Sequence, residues 1–211
     1  MARSNLLNVP YFIQPTGITC QSTCLKMYAS YLEQNVVFES TGAADRDILD
    51  IWKDVNQGKE RPSQYRNAHV NFKWWLETYF PTLKFFYGDT KDYLTALDRI
   101  IGFIDQGFPV LVSVSHVKVD GHIILVVGYE NYDPIASRFD FSLVVHDPYG
   151  AFDPSLRSKL FGKQRFDGGA CLPDGGEYGP GKNVKLPIES VSRQKRGDAA
   201  LGTYYTLSAT W

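Results

Sequence analysis

The apolar positions of this chain change their period about halfway along it. Between residues 20 and 32, Leu25, Tyr28 and Leu32, with Cys24 and Tyr31 beside them, recur at helical spacing, and Thr19 stands where a capping hydroxyl belongs. Residues 8–13 ahead of it read as an extended lead-in, broken by Pro15, Thr16 and Gly17. A weaker amphipathic pattern over 45–55 runs through Ile48, Ile51, Trp52 and Val55. Residues 70–80 predict a further helix, with Phe72, Trp75, Leu76 and Tyr79 on one side and Pro81 as its stop. After a strand-like 83–87, residues 93–106 predict another, with Leu94, Leu97, Ile101 and Ile104 inward and Gly107 at its end.

Beyond Gly107 the texture turns to β. Residues 109–114, 121–130 and 139–146 are rich in Val, Ile, Leu and Phe and are separated by turn formers such as Asp133 and Pro134. They read as adjacent antiparallel strands, with 203–211 as a last strand closing the sheet. The Gly-rich connection 168–181 is long enough to be functional or mobile. Helices first and an antiparallel sheet afterwards is the α+β pattern, and 211 residues suit a single domain, 1–211.

Composition narrows the function classes. A hydrophobic share of 44% with 21% charged residues is that of an ordinary globular protein. The formal charge of −1 gives no general attraction for nucleic acid or for an anionic membrane. The one local excess of base, Arg193, Lys195 and Arg196, reads as a solvated turn or helix end. Residues 1–12 lack the apolar core of a signal peptide, and no run approaches the roughly 18 apolar residues of a membrane span. The expectation is a product made in the cytoplasm, without membrane insertion. Three cysteines is an odd number, so at least one thiol is left over as a candidate reagent.

Cys20 falls in the first turn of the first helix, where unpaired N–H groups and the positive end of the helix dipole favour a thiolate. A cysteine there is by itself more often a small buried hydrophobe. Gln14, six residues upstream across the Pro-Thr-Gly turn, could fold its amide back and, with the Cys20 N–H, bind a developing oxyanion. Of the four histidines, His69 and His116 read as surface residues in polar segments. His146 adjoins Asp147 at a strand end, but neighbouring strand residues point to opposite faces, so one of the two turns away from any shared site. His122 follows Gly121 at the mouth of an apolar strand and is the better general base. Asp147 either orients that histidine or only nucleates the Asp-Pro turn, and the local pattern leaves the two readings even. Cys24 sits within the apolar stripe and reads as core, while Cys171 lies in the Gly-rich connection. Cys20, Cys24, His122 and His146 could be drawn as metal ligands, but their spacing matches no common zinc pattern.

These pieces together resemble a known family. The strings VPYFIQ over 9–14, GFPVLVSV over 107–114, GHIILVVGY over 121–129 and VVHDPYG over 144–150, with Cys20 opening a helix, are similar to the C39-like cysteine peptidases of bacteria and phages. The resemblance implies a papain-like fold with N-terminal helices packed on a C-terminal antiparallel sheet. It implies Cys20 as nucleophile, His122 as general base, Asp147 as its orienting partner and Gln14 as oxyanion donor, with no cofactor. It implies a peptide or peptidoglycan-peptide substrate, for which a cell-wall endopeptidase of endolysin type, released through a separate pore, is one use. Leader-peptide processing, acyl transfer to an amine and a non-catalytic module on the same frame are the alternatives. Two features depart from the family: Gln21 stands where a glycine usually follows the nucleophile, and the stretches near 42–70 and 165–183 have no clear counterpart.

Overall fold

The computed structural model describes residues 2–114, 121–134, 141–149, 181–193 and 200–211. The first strand is β1 (Arg3–Leu6), followed by helices α1 (Cys20–Leu32), α2 (Ile48–Gln57) and α3 (His69–Tyr79). Then come β2 (Lys84–Thr90), α4 (Tyr93–Asp105), β3 (Val110–Val114), β4 (His122–Tyr132), β5 (Ser142–His146), β6 (Val184–Leu186) and β7 (Tyr204–Thr210). One antiparallel sheet runs in the order β2-β7-β3-β4-β5-β6, and β1 pairs with the far end of β4. The last strand is an inner strand, hydrogen-bonded to β2 on one side and β3 on the other.

The sheet is covered on both faces. Leu111, Ile123, Leu125, Val127, Leu207 and Ala209 join residues of α1, α2 and α3 in one core. Val110, Val112, Val114, Ile124 and Val126 join α4 in a second. Burial on both sides explains why β3 and β4 read as continuous apolar runs rather than alternating ones. α4 presents Ala96, Leu97, Ile100, Ile101 and Ile104 to its core, whereas Leu94, expected inward, is exposed. The start of α4 is fixed by Asp92, whose carboxylate accepts from the Thr95 N–H at 2.7 Å.

α1 is the central element. Every one of its residues except Lys26 is buried, so its polar side chains must be bonded internally. Ser22 and Thr23 donate to the Thr19 carbonyl, at 3.1 and 2.9 Å. The Tyr28 hydroxyl accepts from the Ala209 N–H at 2.6 Å, and the Tyr31 hydroxyl donates to the Gly107 carbonyl at 2.8 Å. These bonds clamp α1 to β7 and to the end of α4. Against β4, Gly128 permits a close approach, since a Cβ there would lie 2.4 Å from the Asn5 carbonyl oxygen of β1. No helix among the described residues is long and apolar enough to cross a membrane.

Candidate active site

Cys20 is the first residue of α1. The Thr19 hydroxyl makes no capping bond to the helix; it donates to the Thr16 carbonyl at 3.1 Å and accepts from the Thr16 N–H at 3.2 Å. The expected cap is thus a tie across the preceding turn. Cys20 keeps 8% of its surface exposed, while Cys24 has none. Cys24 donates to the Ile123 carbonyl at 3.4 Å, and burial first, with the Cys20 and Asp147 charges adding, pushes its thiol well up. Of the two thiols on α1, only Cys20 is open to a reactant. Cys171 and His116 lie outside the described residues, as does most of the Gly-rich connection.

His122 opens β4, paired with Val114 of β3. Its Nε2 and Asp147 Oδ1 are 2.7 Å apart, with both side chains shut off from solvent. Asp147 Oδ1 also accepts from the Tyr149 N–H at 2.9 Å. One oxygen thus holds the turn and meets the imidazole, so the two readings of Asp147 coexist. The aspartate is fixed from its backbone as well, by Tyr11 Oη donating to its carbonyl at 2.9 Å and its own N–H donating to the Gly181 carbonyl at 2.8 Å. The Tyr149 ring stands edge-on to the imidazole at 6.1 Å between centroids.

With Nε2 engaged, Nδ1 is the nitrogen left for the sulfur. No well-aligned hydrogen bond fixes Nδ1 among the described residues, yet Cys20 is near enough to interact with the ring by hydrogen bonding and by charge. Unliganded sites are often loose in this way. Burial alone would lower the His122 pKa. The Asp147 charge and hydrogen bond, with Cys20 adding, outweigh burial and raise it to about 10. The histidine is therefore held as imidazolium through neutral pH, next to a sulfur that can carry the matching negative charge.

Gln14 is brought to the same place by its backbone, whose N–H donates to the Pro148 carbonyl at 2.9 Å, tying the loop before α1 to the turn after β5. Its amide nitrogen donates to the Thr16 carbonyl at 2.6 Å, which occupies one of two N–H hydrogens and leaves the other. Gln14 Oε1, His122 Nδ1 and Asp147 Oδ2 are all buried without a hydrogen-bond partner among the described residues. Such atoms are rare in folded proteins and tend to mark places where a reactant completes the bonding.

Two residues near the site have structural partners that the sequence did not show. His146 is a strut: its Nε2 donates to the Val9 carbonyl at 3.0 Å and its Nδ1 accepts from the Asn183 N–H at 3.2 Å. Burial lowers its pKa to about 4, which keeps it neutral. Gln21, the departure after the nucleophile, is anchored by the segment that lacked a counterpart. With its amide and that of Asn67, 2.9 Å away, both turned, the nitrogen donates to the Ile18 carbonyl at 2.9 Å and the oxygen accepts from Trp52 Nε1 at 3.1 Å and Asn56 Nδ2 at 3.0 Å. In that orientation the amide nitrogen takes the position 3.5 Å from Cys20 Sγ. Gln21 is therefore held by α2 and sets its amide beside the sulfur. Sequence reasoning did not reach this, because Trp52 and Asn56 come from α2, in a segment whose docking has no local signature.

A search of curated proteins returns no match. Among solved structures, the chain is similar over 100% of its length to UfSP from C. elegans, at 12% identity and a TM-score of 0.53. It spans 35% of the UfSP chain, and a likeness at that identity bears on the fold alone. That fold is the α+β, papain-like one in which a helix bearing the cysteine packs on an antiparallel sheet bearing the histidine. A model of the Peptidase C39-like family matches residues 6–167, more than half of the chain and every residue of the Gln14, Cys20, His122 and Asp147 cluster, so the chain belongs to the Peptidase C39-like family.

Proposed function

We propose that the chain, as a single peptidase domain elaborated near 42–70 and 165–183, cleaves a peptide or isopeptide bond through Cys20, His122 and Asp147. The observation that supports this most is the buried 2.7 Å contact between His122 and Asp147, which leaves the other ring nitrogen for the cysteine that opens α1. In the first half-reaction the Cys20 thiolate forms a C–S bond to the carbonyl carbon. The oxygen takes up the negative charge, facing the Cys20 N–H and the remaining N–H of Gln14. Collapse breaks the C–N bond as the His122 imidazolium gives its proton to the leaving amine. In the second half-reaction His122 takes a proton from water, the hydroxyl adds to the thioester, and the carboxylic product leaves with Cys20 restored. Asp147 keeps Nδ1 toward the sulfur and stabilises the imidazolium.

Intact-mass spectrometry tests this reading on purified protein incubated with a peptide library. An acyl group on Cys20 and new free amines are the expected result. No adduct and no cleavage under any condition would return Cys20 to the role of a core thiol. Within this reaction class, the finer substrate proposal is a cell-wall peptide, carried by the resemblance of the ordered sequence pieces. Release of free amines from purified peptidoglycan supports it. Cleavage of protein substrates with peptidoglycan untouched removes it, and transfer to an added amine would mark a transferase.

A further inference from the structure

His69, expected on the surface, is walled in by aromatic rings. It is the first residue of α3, and its imidazole stacks between Tyr87 of β2 and Tyr205 of β7, with centroids 5.5 and 5.1 Å away and planes within 10°. Phe72 closes a third side at 5.5 Å, edge-on. His69 Nε2 is buried without a hydrogen-bond partner among the described residues. Burial, with the Arg193 charge adding, lowers its pKa to about 4, so the ring is neutral. His69, Tyr87, Tyr205 and Arg193 line a cavity of about 330 Å³.

Arg193 connects this cavity to the catalytic end of the sheet. Gly121, the residue before His122, has φ +95°, and a Cβ on it would lie 2.6 Å from an Arg193 Nη atom. The guanidinium thus lies over the strand mouth that carries His122. It also reaches Ser113 Oγ of β3 at 3.5 Å, and its backbone is held to Thr203 and Gly202, just before β7. Ser113 pairs with Ile123 across the β3–β4 ladder, and Leu111 and Val112 pair with Leu207 and Thr206 across the β3–β7 ladder. The same register sets Tyr205 beside Ser113. A shelf therefore runs from β4 over β3 to β7, two strand spacings or about 10 Å. In an extended peptide that distance is about three residues.

We infer that this cavity is the subsite for a carboxylate carried by the leaving-group part of the substrate, two or three residues beyond the scissile bond, with Arg193 as its charge partner. The leaving-group side rests on the peptidase reading, because His122 protonates the departing amine and the shelf starts at the residue before it. The carboxylate rests on the cavity itself. A guanidinium presents its N–H donors in a planar fork that matches a carboxylate, and one of them reaches Ser113. His69 supplies an unpartnered ring nitrogen, and the tyrosine faces supply apolar walls. No acidic side chain is among the described lining residues, which disfavours an ammonium group.

Binding to the Cys20→Ala protein tests the subsite without depending on turnover. The probes are acetyl-Ala-Glu, acetyl-Ala-Glu-amide with only the side-chain carboxylate, acetyl-Ala-Gln with only the terminal one, and the uncharged acetyl-Ala-Gln-amide. Titrations follow the His69 ring signals by NMR, assigned with His69→Gln. At least one singly charged peptide is expected to move the His69 signal and to bind ten-fold or more tighter than the uncharged one. Which of the two does so tells a side-chain carboxylate from a chain terminus. Arg193→Gln is expected to remove the difference and Arg193→Lys to restore part of it. Equal binding of all four peptides, or a His69 signal that no peptide moves, overturns the subsite; the peptide series reads this on the intact cavity even if the Arg193 variants do not fold. Carboxylate binding in a protein whose Cys20 forms no acyl adduct would keep the subsite and remove only its leaving-group role.

Discussion

His122 and His146 stand at the ends of neighbouring strands, both buried, and their proton affinities move in opposite directions. His146 is hydrogen-bonded to neutral backbone groups, the Val9 carbonyl and the Asn183 N–H, and burial, with the Lys182 charge adding, lowers it to about 4. His122 is as deeply buried, but Asp147 and Cys20 reverse the effect and raise it to about 10. Burial here makes a neutral strut. Burial beside a carboxylate and a thiol makes a proton donor poised at neutral pH. The chemistry at this end of the sheet follows from which of two adjacent residues, His146 or Asp147, is turned toward β4.

The sharpest way to break the comparison is to remove each ring in turn. His122→Ala is expected to lower kcat/KM by about 10⁴-fold while leaving the fold intact. His146→Gln is expected to leave turnover per folded molecule unchanged and to cost about 1–3 kcal/mol in urea melts, through the unpaired Val9 carbonyl and Asn183 N–H. A matching loss of activity in both would place them in one site. Next in size is Asp147→Asn, which removes the charge that lifts His122. It is expected to cut kcat/KM by about 10²–10⁴-fold and to move the basic limb of the pH profile downward, read as an apparent value of the coupled pair. Gln14→Ala is expected to lower kcat by about 10²–10³-fold with little change in KM.

The smallest effect is on stability against pH. Between pH 6.5 and about 4 the unfolded chain binds a proton that folded His146 does not, so stability falls on acidification by up to about 1.4 kcal/mol per pH unit. His122 works the other way. The folded chain holds a proton that the unfolded chain loses above pH 6.5, so its contribution is complete below 6.5 and disappears as pH rises through about 10. Denaturation of wild type against His146→Gln across pH 4–8 isolates the first slope, and His122→Ala across pH 6–10 isolates the second.

Much of the fold was legible in the residues because its strongest signals are local. α1, α4 and the strands β3, β4, β5 and β7 follow from apolar runs and from Gly107, whose φ of +86° ends α4. β1, of sequence RSNL and mostly exposed, and the three-residue β6 carry no such pattern and exist through their ladders to β4 and β5. Cys20, His122 and Asp147 could be picked out because each sits at an element boundary, and Gln14 because it stands six residues before Cys20. What could not be read were partners from distant strands. Tyr87 and Tyr205 make His69 a cavity wall, and Gly121 makes room for Arg193, whose sequence neighbourhood suggests only a solvated turn.

The pairing of Cys20 with His122 is tested most directly by the rate at which iodoacetamide alkylates Cys20, followed by peptide mass spectrometry from pH 4 to 10. Fast labelling that persists well below the ordinary thiol pKa of about 8.5, and falls to the rate of a free thiol in His122→Ala, is the expected result. Labelling in the wild type no faster than that of an ordinary exposed cysteine, with the same pH dependence in His122→Ala, would contradict a thiolate held by His122.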